Sequence, residues 1–152
     1  MKIAITSDQL YPVHAVIIDW LKQHGHEPVC FGALHSQQDE SWVTSARDAA
    51  LAIQRGECEE GIFFCWTGTG ISIAANKFAG IRAALCTDAE TARGARVWNH
   101  ANVLALSNRL LSQDVAMAKE ILTTWFDDYD KTKGAQGVSE LAGIGKEDPL
   151  QN

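Results

Sequence analysis

Short apolar segments alternate along this chain with longer segments whose apolar residues recur at helical spacing. The short segments predict five strands, at residues 3–6, 28–31, 61–65, 81–86 and 102–106. The longer ones predict helices at 14–23, about 43–55, from about 70, 89–97 and 112–126, with a polar loop at 35–41. This alternation is typical of a parallel sheet with helices on both faces.

The sequence therefore predicts a single α/β domain, a Rossmann-like, doubly wound, five-stranded parallel sheet. Ligands of such sheets bind beyond the carboxyl ends of the strands. We expect residues 1–130 to form this domain. The polar segment 131–152 contains several glycines, and we expect it to be a frayed tail or an arm that lies on a partner subunit.

Composition excludes several classes of function. The net charge of −6 over 152 residues argues against a nucleic-acid surface, and no apolar run approaches the ~20 residues of a membrane span. Because the chain starts directly in a predicted strand, we expect no signal peptide. Its four cysteines have neither metal-ligand spacing nor a CxxC motif, so we expect reduced thiols, a cytoplasmic location and no bound metal.

One cysteine differs from the others in its surroundings. Cys65 ends the predicted strand 61–65, and a glycine-rich turn with Gly68 and Gly70 leads from it into the next helix. The first backbone N–H groups of a helix have no partner inside that helix, and its N-terminus carries positive potential. Such a position can bind an anion, stabilise developing negative charge, or make a cysteine a usable base or nucleophile.

Further polar residues follow the ends of other strands. Asp8 follows the first strand and Arg109 follows the fifth, so we expect both to meet Cys65 at one edge of the sheet. Asn99 and His100 lead into the fifth strand. The pattern predicts an anion-binding site with a reactive thiol and does not choose the reaction. The histidines expected to have no catalytic role are His14, His24, His26 and His35.

The segment Gly68-Thr69-Gly70-Ile71-Ser72-Ile73-Ala74-Ala75-Asn76-Lys77-Phe78-Ala79-Gly80-Ile81-Arg82-Ala83 resembles the signature of the type B ribose-5-phosphate isomerases. That family also includes the subunits of galactose-6-phosphate isomerase. The opening Ile5-Thr6-Ser7-Asp8, the pair Asn99 and Asn102, and the stretch 102–109 fit the same pattern. The resemblance runs from the start of the chain to about Gly137.

The resemblance implies an aldose–ketose isomerase without metal or cofactor, built as a homodimer or dimer of dimers with shared active sites. It implies that Cys65 is the base that moves a proton between C1 and C2 of a sugar phosphate through a cis-enediolate. Thr67 would relay a proton between the substrate oxygens, and the amides of Gly68 and Gly70 would hold the enediolate oxygen.

The resemblance also implies a set of substrate-binding residues. Asp8 and Asn99 would hold sugar hydroxyls. Arg109 would hold the phosphate together with the C-terminal arm of the neighbouring subunit. Of the two arginines usual in that arm, one aligns with Lys133 and the other with Gly137.

The chain departs from the family pattern at several of these positions. Gln9 replaces a histidine, Trp66 replaces the glycine after the cysteine, and Trp98 replaces the histidine that opens the sugar ring. The tripeptide Ser41-Trp42-Val43 replaces aspartate-tyrosine-proline. Because a ring-opening acid is needed only for a cyclic sugar, the two tryptophans at 66 and 98 favour a small, open-chain substrate such as a tetrulose phosphate.

Four other interpretations remain. An open-chain keto-uronate is a second substrate for the same chemistry. The chain is alternatively a ribose-5-phosphate isomerase in which His100 replaces the missing histidine, or a weakly catalytic subunit or sugar-phosphate-binding regulator. Trp66 and Trp98 are alternatively packing or subunit-contact residues.

Overall fold

Five parallel strands form the sheet, namely β1 (Lys2–Ser7), β2 (Glu27–Gly32), β3 (Glu60–Cys65), β4 (Ala83–Leu85) and β5 (Val103–Ser107). Their order across the sheet is β2-β1-β3-β5-β4. The structure is a computed structural model that describes residues 1–146. The predicted parallel sheet of five strands is therefore confirmed.

Eight helices connect and follow the strands within the described residues: α1 (Pro12–Gln23), α2 (Ala33–Ser36), α3 (Trp42–Gln54), α4 (Thr69–Ala75), α5 (Ala89–Asn99), α6 (Asn108–Leu111), α7 (Val115–Trp125) and α8 (Ala135–Leu141). One apolar cluster joins α1, α5 and α7 to one face of the sheet. A second joins α3 and α4 to the other face. The predicted doubly wound arrangement is confirmed.

The strand order places a topological switch point between β1 and β3. From β1 the chain crosses to β2 on one side, and from β3 it continues toward β5 and β4 on the other. The helices that follow these two strands, α1 and α4, lie on opposite faces. Their first turns therefore diverge and leave a crevice, which is where doubly wound sheets bind ligands.

Several predicted boundaries differ from the structure. Within 35–41, expected as a loop, His35 and Ser36 end the four-residue α2, and α6 also was not predicted. Helices of one turn are too short to show a period of 3.6 residues. The helix expected at 112–126 begins at Val115, because the Asp114 side chain caps it. At the sheet edge, β4 is shorter than expected.

A buried ion pair fixes the edge of the sheet at which the strands begin. Arg96 of α5 lies 2.8 Å from Glu60 at the start of β3, and both side chains are mostly buried. Trp125 donates a 3.0 Å hydrogen bond to the same carboxylate. The Arg96 guanidinium also lies over the rings of Trp125 and Tyr129. These contacts bind the end of α7 and the following segment to α5.

The segment expected to be a tail or an arm contains α8, which has no buried residue. Residues 147–152, also part of that prediction, lie outside the described residues. Among residues 1–146, no helix is long and apolar enough to cross a membrane.

Candidate active site

Three of the predicted site residues lie at the carboxyl ends of neighbouring strands. Ser7 pairs with Phe64, so the residues that come next, Asp8 and Cys65, lie side by side at the ends of β1 and β3. Cys65 pairs with Ser107 of β5, and Arg109 lies two residues further on. Adjacent strands are about 4.8 Å apart. The structure therefore brings Asp8, Cys65 and Arg109 to one edge, at and beside the switch point.

The turn after Cys65 depends on a glycine. Gly68 has φ = +77° and is the residue before α4. A Cβ at this position would lie 2.9 Å from the backbone carbon of Leu106 and 2.6 Å from the Leu85 side chain. Glycine thus meets both the left-handed backbone conformation and the close packing on β4 and β5. Gly68 is the N-cap and Gly70 the second residue of α4, and the N–H groups at this end of a helix have no partner inside it.

Cys65 is 5% exposed and belongs to the apolar cluster under α3 and α4, where Ile71 also lies. Its thiol is thus largely shielded from water. The hydroxyl oxygen of Thr67 lies 2.6 Å from that of Thr69. Both threonines are exposed and follow the carboxyl end of β3. The local chain therefore presents a thiol, two hydroxyls and free backbone N–H groups within one short turn.

Asp8 has an unsatisfied carboxylate oxygen. Its Oδ1 atom is buried and has no hydrogen-bond partner among the described residues. Burial raises the pKa of Asp8, and repulsion from Asp39 acts in the same direction, although the backbone N–H groups of Asp8 and Gln9 oppose it. A buried acceptor without a partner costs folding free energy. A ligand hydroxyl or N–H that enters the crevice would satisfy it.

Arg109 provides positive charge at the same edge. Its side chain is exposed, and within residues 1–146 it makes no salt bridge. Its backbone N–H donates a 3.0 Å hydrogen bond to the carbonyl oxygen of Trp66. The turn that carries Arg109 is thus joined to the turn that carries the cysteine, and its guanidinium is available for an anion.

Two exposed tryptophans lie on either side of the glycine turn. Trp66 is 50% exposed, and its ring lies 5.9 Å from that of Tyr11 in α1's N-terminal loop. Trp42 is 42% exposed, and a Cβ placed on Gly70 would come within 3.2 Å of its ring. The two indoles form apolar walls beside the start of α4.

Trp42 was not among the predicted site residues. The sequence carries a signal for its position, since Ser41 is a favoured N-cap residue and its Oγ accepts the N–H of Val43. α3 is the second helix after β2, and the contact with Gly70 places its first residue beside the candidate site. Which neighbour its ring would contact depends on tertiary packing.

The remaining predicted residues lie at the opposite edge of the sheet. Asn99 ends α5, and its carbonyl oxygen and that of His100 accept hydrogen bonds from Arg82, which precedes β4. The Nε2 atom of His100 lies 2.7 Å from the carbonyl oxygen of Lys133. Trp98 is 59% exposed, and its backbone lies against Gly134, which has φ = +71°. This group is called the arm cluster below: Trp98, Asn99, His100 and Lys133.

The two groups are far apart within one chain. The six residues of β3 separate its first residue, Glu60, from Cys65 by about 16 Å. Because α5 is joined to Glu60 through Arg96, the arm cluster lies near the start of this strand. A shallow cleft of about 110 Å³ beside Arg96 and Lys133 also lies there. A single chain therefore does not bring Cys65 and the arm cluster to one substrate.

Comparisons with known proteins agree with this architecture. Residues 3–141 match the family described as Ribose/Galactose Isomerase. A solved structure of ribose-5-phosphate isomerase B from Clostridium thermocellum superposes with a TM-score of 0.87 and 40% identity. The superposition covers 96% of this chain and 98% of that one.

Two curated relatives cover most of the chain. Ribose-5-phosphate isomerase B of Escherichia coli (strain K12) is 37% identical, over 84% of this chain and 85% of the relative. D-erythrulose-4-phosphate isomerase of Pectobacterium atrosepticum is 36% identical, over 84% of this chain and 83% of the relative. The chain belongs to the ribose/galactose isomerase family. Its enzyme class is that of the aldose–ketose isomerases.

Proposed function

We propose that the chain interconverts the aldose and ketose forms of a short, open-chain sugar phosphate, with Cys65 as the base. The observation that carries this proposal is the placement of Cys65 and Asp8 side by side at the switch point, with the Asp8 Oδ1 atom buried and without a hydrogen-bond partner among residues 1–146. Family membership supports the reaction class.

The chemistry follows from the groups at this edge. The Cys65 thiolate takes a proton from the carbon beside the carbonyl, and the electron pair moves onto the carbonyl oxygen to give a cis-enediolate. The N–H groups of Gly68 and Gly70 stabilise the negative oxygen. Thr67 moves a proton between the two oxygens, and the thiol returns its proton to the adjacent carbon. The net change is one hydrogen transferred between C1 and C2 and a second transferred between their two oxygens.

Substrate size is inferred from the aromatic walls. Trp42 and Trp66 add bulk on both sides of the turn, and Trp98 stands where the family pattern has its ring-opening histidine. A tetrulose phosphate has no free hydroxyl with which to close a furanose ring, since phosphate occupies it. It therefore needs no acid for ring opening. The relative from Pectobacterium atrosepticum, named for erythrulose 4-phosphate, supports a four-carbon substrate.

The distance between the two edges supports a site shared between two copies of the chain. Asp8 and Arg109 would bind a hydroxyl and the phosphate from one copy. Asn99 and Lys133 would complete the site from the other, with His100 and Trp98 beside them. Lys133 would act as a point charge and make no bidentate contact with the phosphate. Such a contact fits the terminal phosphate of a short sugar.

A deuterium-exchange screen tests the proposal. The purified protein is incubated in D₂O with tetrose, pentose and hexose phosphates and with one open-chain keto-uronate, and exchange at C1 and C2 is followed by NMR. The Cys65→Ala variant is the matched control. We expect Cys65-dependent exchange with erythrulose 4-phosphate and little with ribose 5-phosphate.

The other outcomes are equally informative. Exchange with ribose or ribulose 5-phosphate alone would overturn the short-substrate proposal and favour the interpretation based on His100. Exchange with the keto-uronate alone would replace phosphate by carboxylate as the recognised anion. If no compound shows exchange, the isolated chain is not an active isomerase. That result would favour a weakly catalytic subunit or a sugar-phosphate-binding regulator.

A further inference from the structure

A buried polar network lies directly beneath the candidate active site. His14 of α1, Asn108 of α6 and Ser7 of β1 are 2%, 0% and 0% exposed. The Nε2 atom of His14 lies 2.7 Å from Oδ1 of Asn108, and Nδ2 of Asn108 donates a 3.1 Å hydrogen bond to Oγ of Ser7. The Ser7 hydroxyl donates to the carbonyl oxygen of Gln9 at 2.6 Å.

The contacts determine the tautomer of the histidine. The backbone N–H of Tyr11 donates to Nδ1 of His14 at 3.2 Å, so Nδ1 is the acceptor and Nε2 carries the hydrogen. Burial lowers the pKa of His14, which favours this neutral form. Every polar atom of the imidazole is thus used, and the ring also packs 4.7 Å from that of Phe64 in β3.

The network joins three segments that carry the candidate site. Ser7 and Gln9 flank Asp8, Asn108 precedes Arg109, and Phe64 precedes Cys65. His14 bonds with Asn108, packs against Phe64, and reaches Ser7 through Asn108. We infer that His14 is a positioning residue, which acts through Asn108 and Ser7 to set Asp8 and Arg109 relative to each other. This inference rests on the proposed function, in which both residues bind the substrate.

Two conservative variants separate the bonds of His14. In His14→Gln, the amide nitrogen reaches the position of Nε2 and can still donate to Asn108. In His14→Asn, the shorter amide reaches only the position of Nδ1, so the Tyr11 bond remains and the Asn108 bond is lost. Ile17→Ala is the control, since it removes buried apolar volume from the same helix and its side chain carries no hydrogen-bonding group.

The kinetic test uses the tetrulose phosphate at a temperature at which all variants are folded. We expect His14→Asn to lower kcat/KM about tenfold or more, mainly through KM, because misplaced binding groups weaken substrate binding. His14→Gln should stay within about threefold of the wild type, and Ile17→Ala should keep wild-type kinetics despite a lower Tm. An equal loss in Ile17→Ala, or none in His14→Asn, would overturn the inference.

A second measurement needs no substrate. Backbone amide NMR shifts of the unliganded protein should change at Asp8, Gln9 and Arg109 in His14→Asn, and much less in His14→Gln. If these shifts occur while the wild type turns over no sugar phosphate, the proposed function fails and the structural coupling stands. If Arg109 does not shift in His14→Asn, the coupling is wrong even when the enzyme is active.

Discussion

The imidazole of His100 is hydrogen-bonded to the backbone of Lys133, with 2.7 Å between Nε2 and the carbonyl oxygen. The same ring lies 5.7 Å from that of Tyr129. This histidine therefore joins the end of α5 to the C-terminal segment of its own chain. Its contacts are those of a residue that holds the arm cluster together.

The first prediction concerns that bond. In His100→Ala the Lys133 segment loses an anchor, so we expect KM for a tetrulose phosphate to rise about three- to tenfold with little change in kcat. Steady-state kinetics measure this. If wild-type protein isomerises ribose 5-phosphate and the variant loses about 10²-fold in kcat, His100 acts as a ring-opening acid and the short-substrate proposal is wrong.

The second prediction concerns the base. Cys65→Ala should lower kcat about 10²-fold or more, because no other group would remove the carbon-bound proton. The fold should persist, since the change removes one sulfur at the end of a strand. Activity and thermal unfolding are measured together, with Cys58→Ala as the control, a buried cysteine near the start of β3. More than about a tenth of the activity remaining would show that another residue is the base.

The third prediction concerns substrate size. Trp66→Gly combined with Trp98→His restores the small residue and the acid of the family pattern. We expect activity on ribose 5-phosphate to rise about tenfold or more, because a ring-opening acid contributes on that scale. The ratio of kcat/KM for pentose and tetrose phosphates is the measurement. An unchanged ratio would mean that these tryptophans serve packing or subunit contact.

The fourth prediction concerns the contact between Trp42 and Gly70. An added Cβ would lie 3.2 Å from two carbons of the indole, and we expect this crowding to outweigh the higher helix propensity of alanine, so that Gly70→Ala destabilises the fold by about 1 kcal/mol. In a Trp42→Ala background the cost should fall by about 1 kcal/mol, since the obstructing ring is gone. Gly137→Ala is the control, because no atom of residues 1–146 lies within 4 Å of its added Cβ. The free energy of unfolding of each variant is measured with denaturant. If the losses caused by the two substitutions simply add in the double variant, the contact is contradicted.

Much of the fold followed from local pattern. Strands and helices alternate clearly enough to predict the sheet, and the rule for doubly wound sheets placed Asp8, Cys65 and Arg109 at one edge. The short helices α2 and α6 are each a single turn, so their few residues show no periodicity. α2 has no side-chain cap, and the Ser107 hydroxyl that caps α6 also donates a hydrogen bond to the carbonyl oxygen of Trp66.

The site was predicted less completely, for a different reason. That His100 bonds with Lys133 and that His14 reaches Asn108 are facts of tertiary packing, over sequence separations of 33 and 94 residues. No spacing rule connects such distant positions. The separation of the arm cluster from Cys65 does follow from topology, because α5 ends where β5 begins. It is this separation that makes a second copy of the chain necessary to the proposed site.

The fifth prediction is that the ionised Asp8 carboxylate lowers the stability of the folded protein and serves to bind the substrate. Burial raises its pKa, so the ionised form is less favourable in the folded protein than in the unfolded chain. This penalty is fully present above the raised pKa. It declines as the pH falls through that value, and it disappears below the unfolded pKa of about 3.9. Asp8→Asn removes the charge and keeps the shape.

We therefore expect Asp8→Asn to raise Tm at pH 7 and to lower kcat/KM about tenfold or more, since a hydrogen bond from the substrate to a charged acceptor is lost. The gain in Tm over the wild type should shrink as the pH is lowered toward 4. Asp19→Asn is the control, because it removes an exposed carboxylate of α1 that lies outside the candidate site. A variant that is less stable at pH 7 would show that Asp8 supports the fold, and unchanged kinetics would remove it from the substrate site.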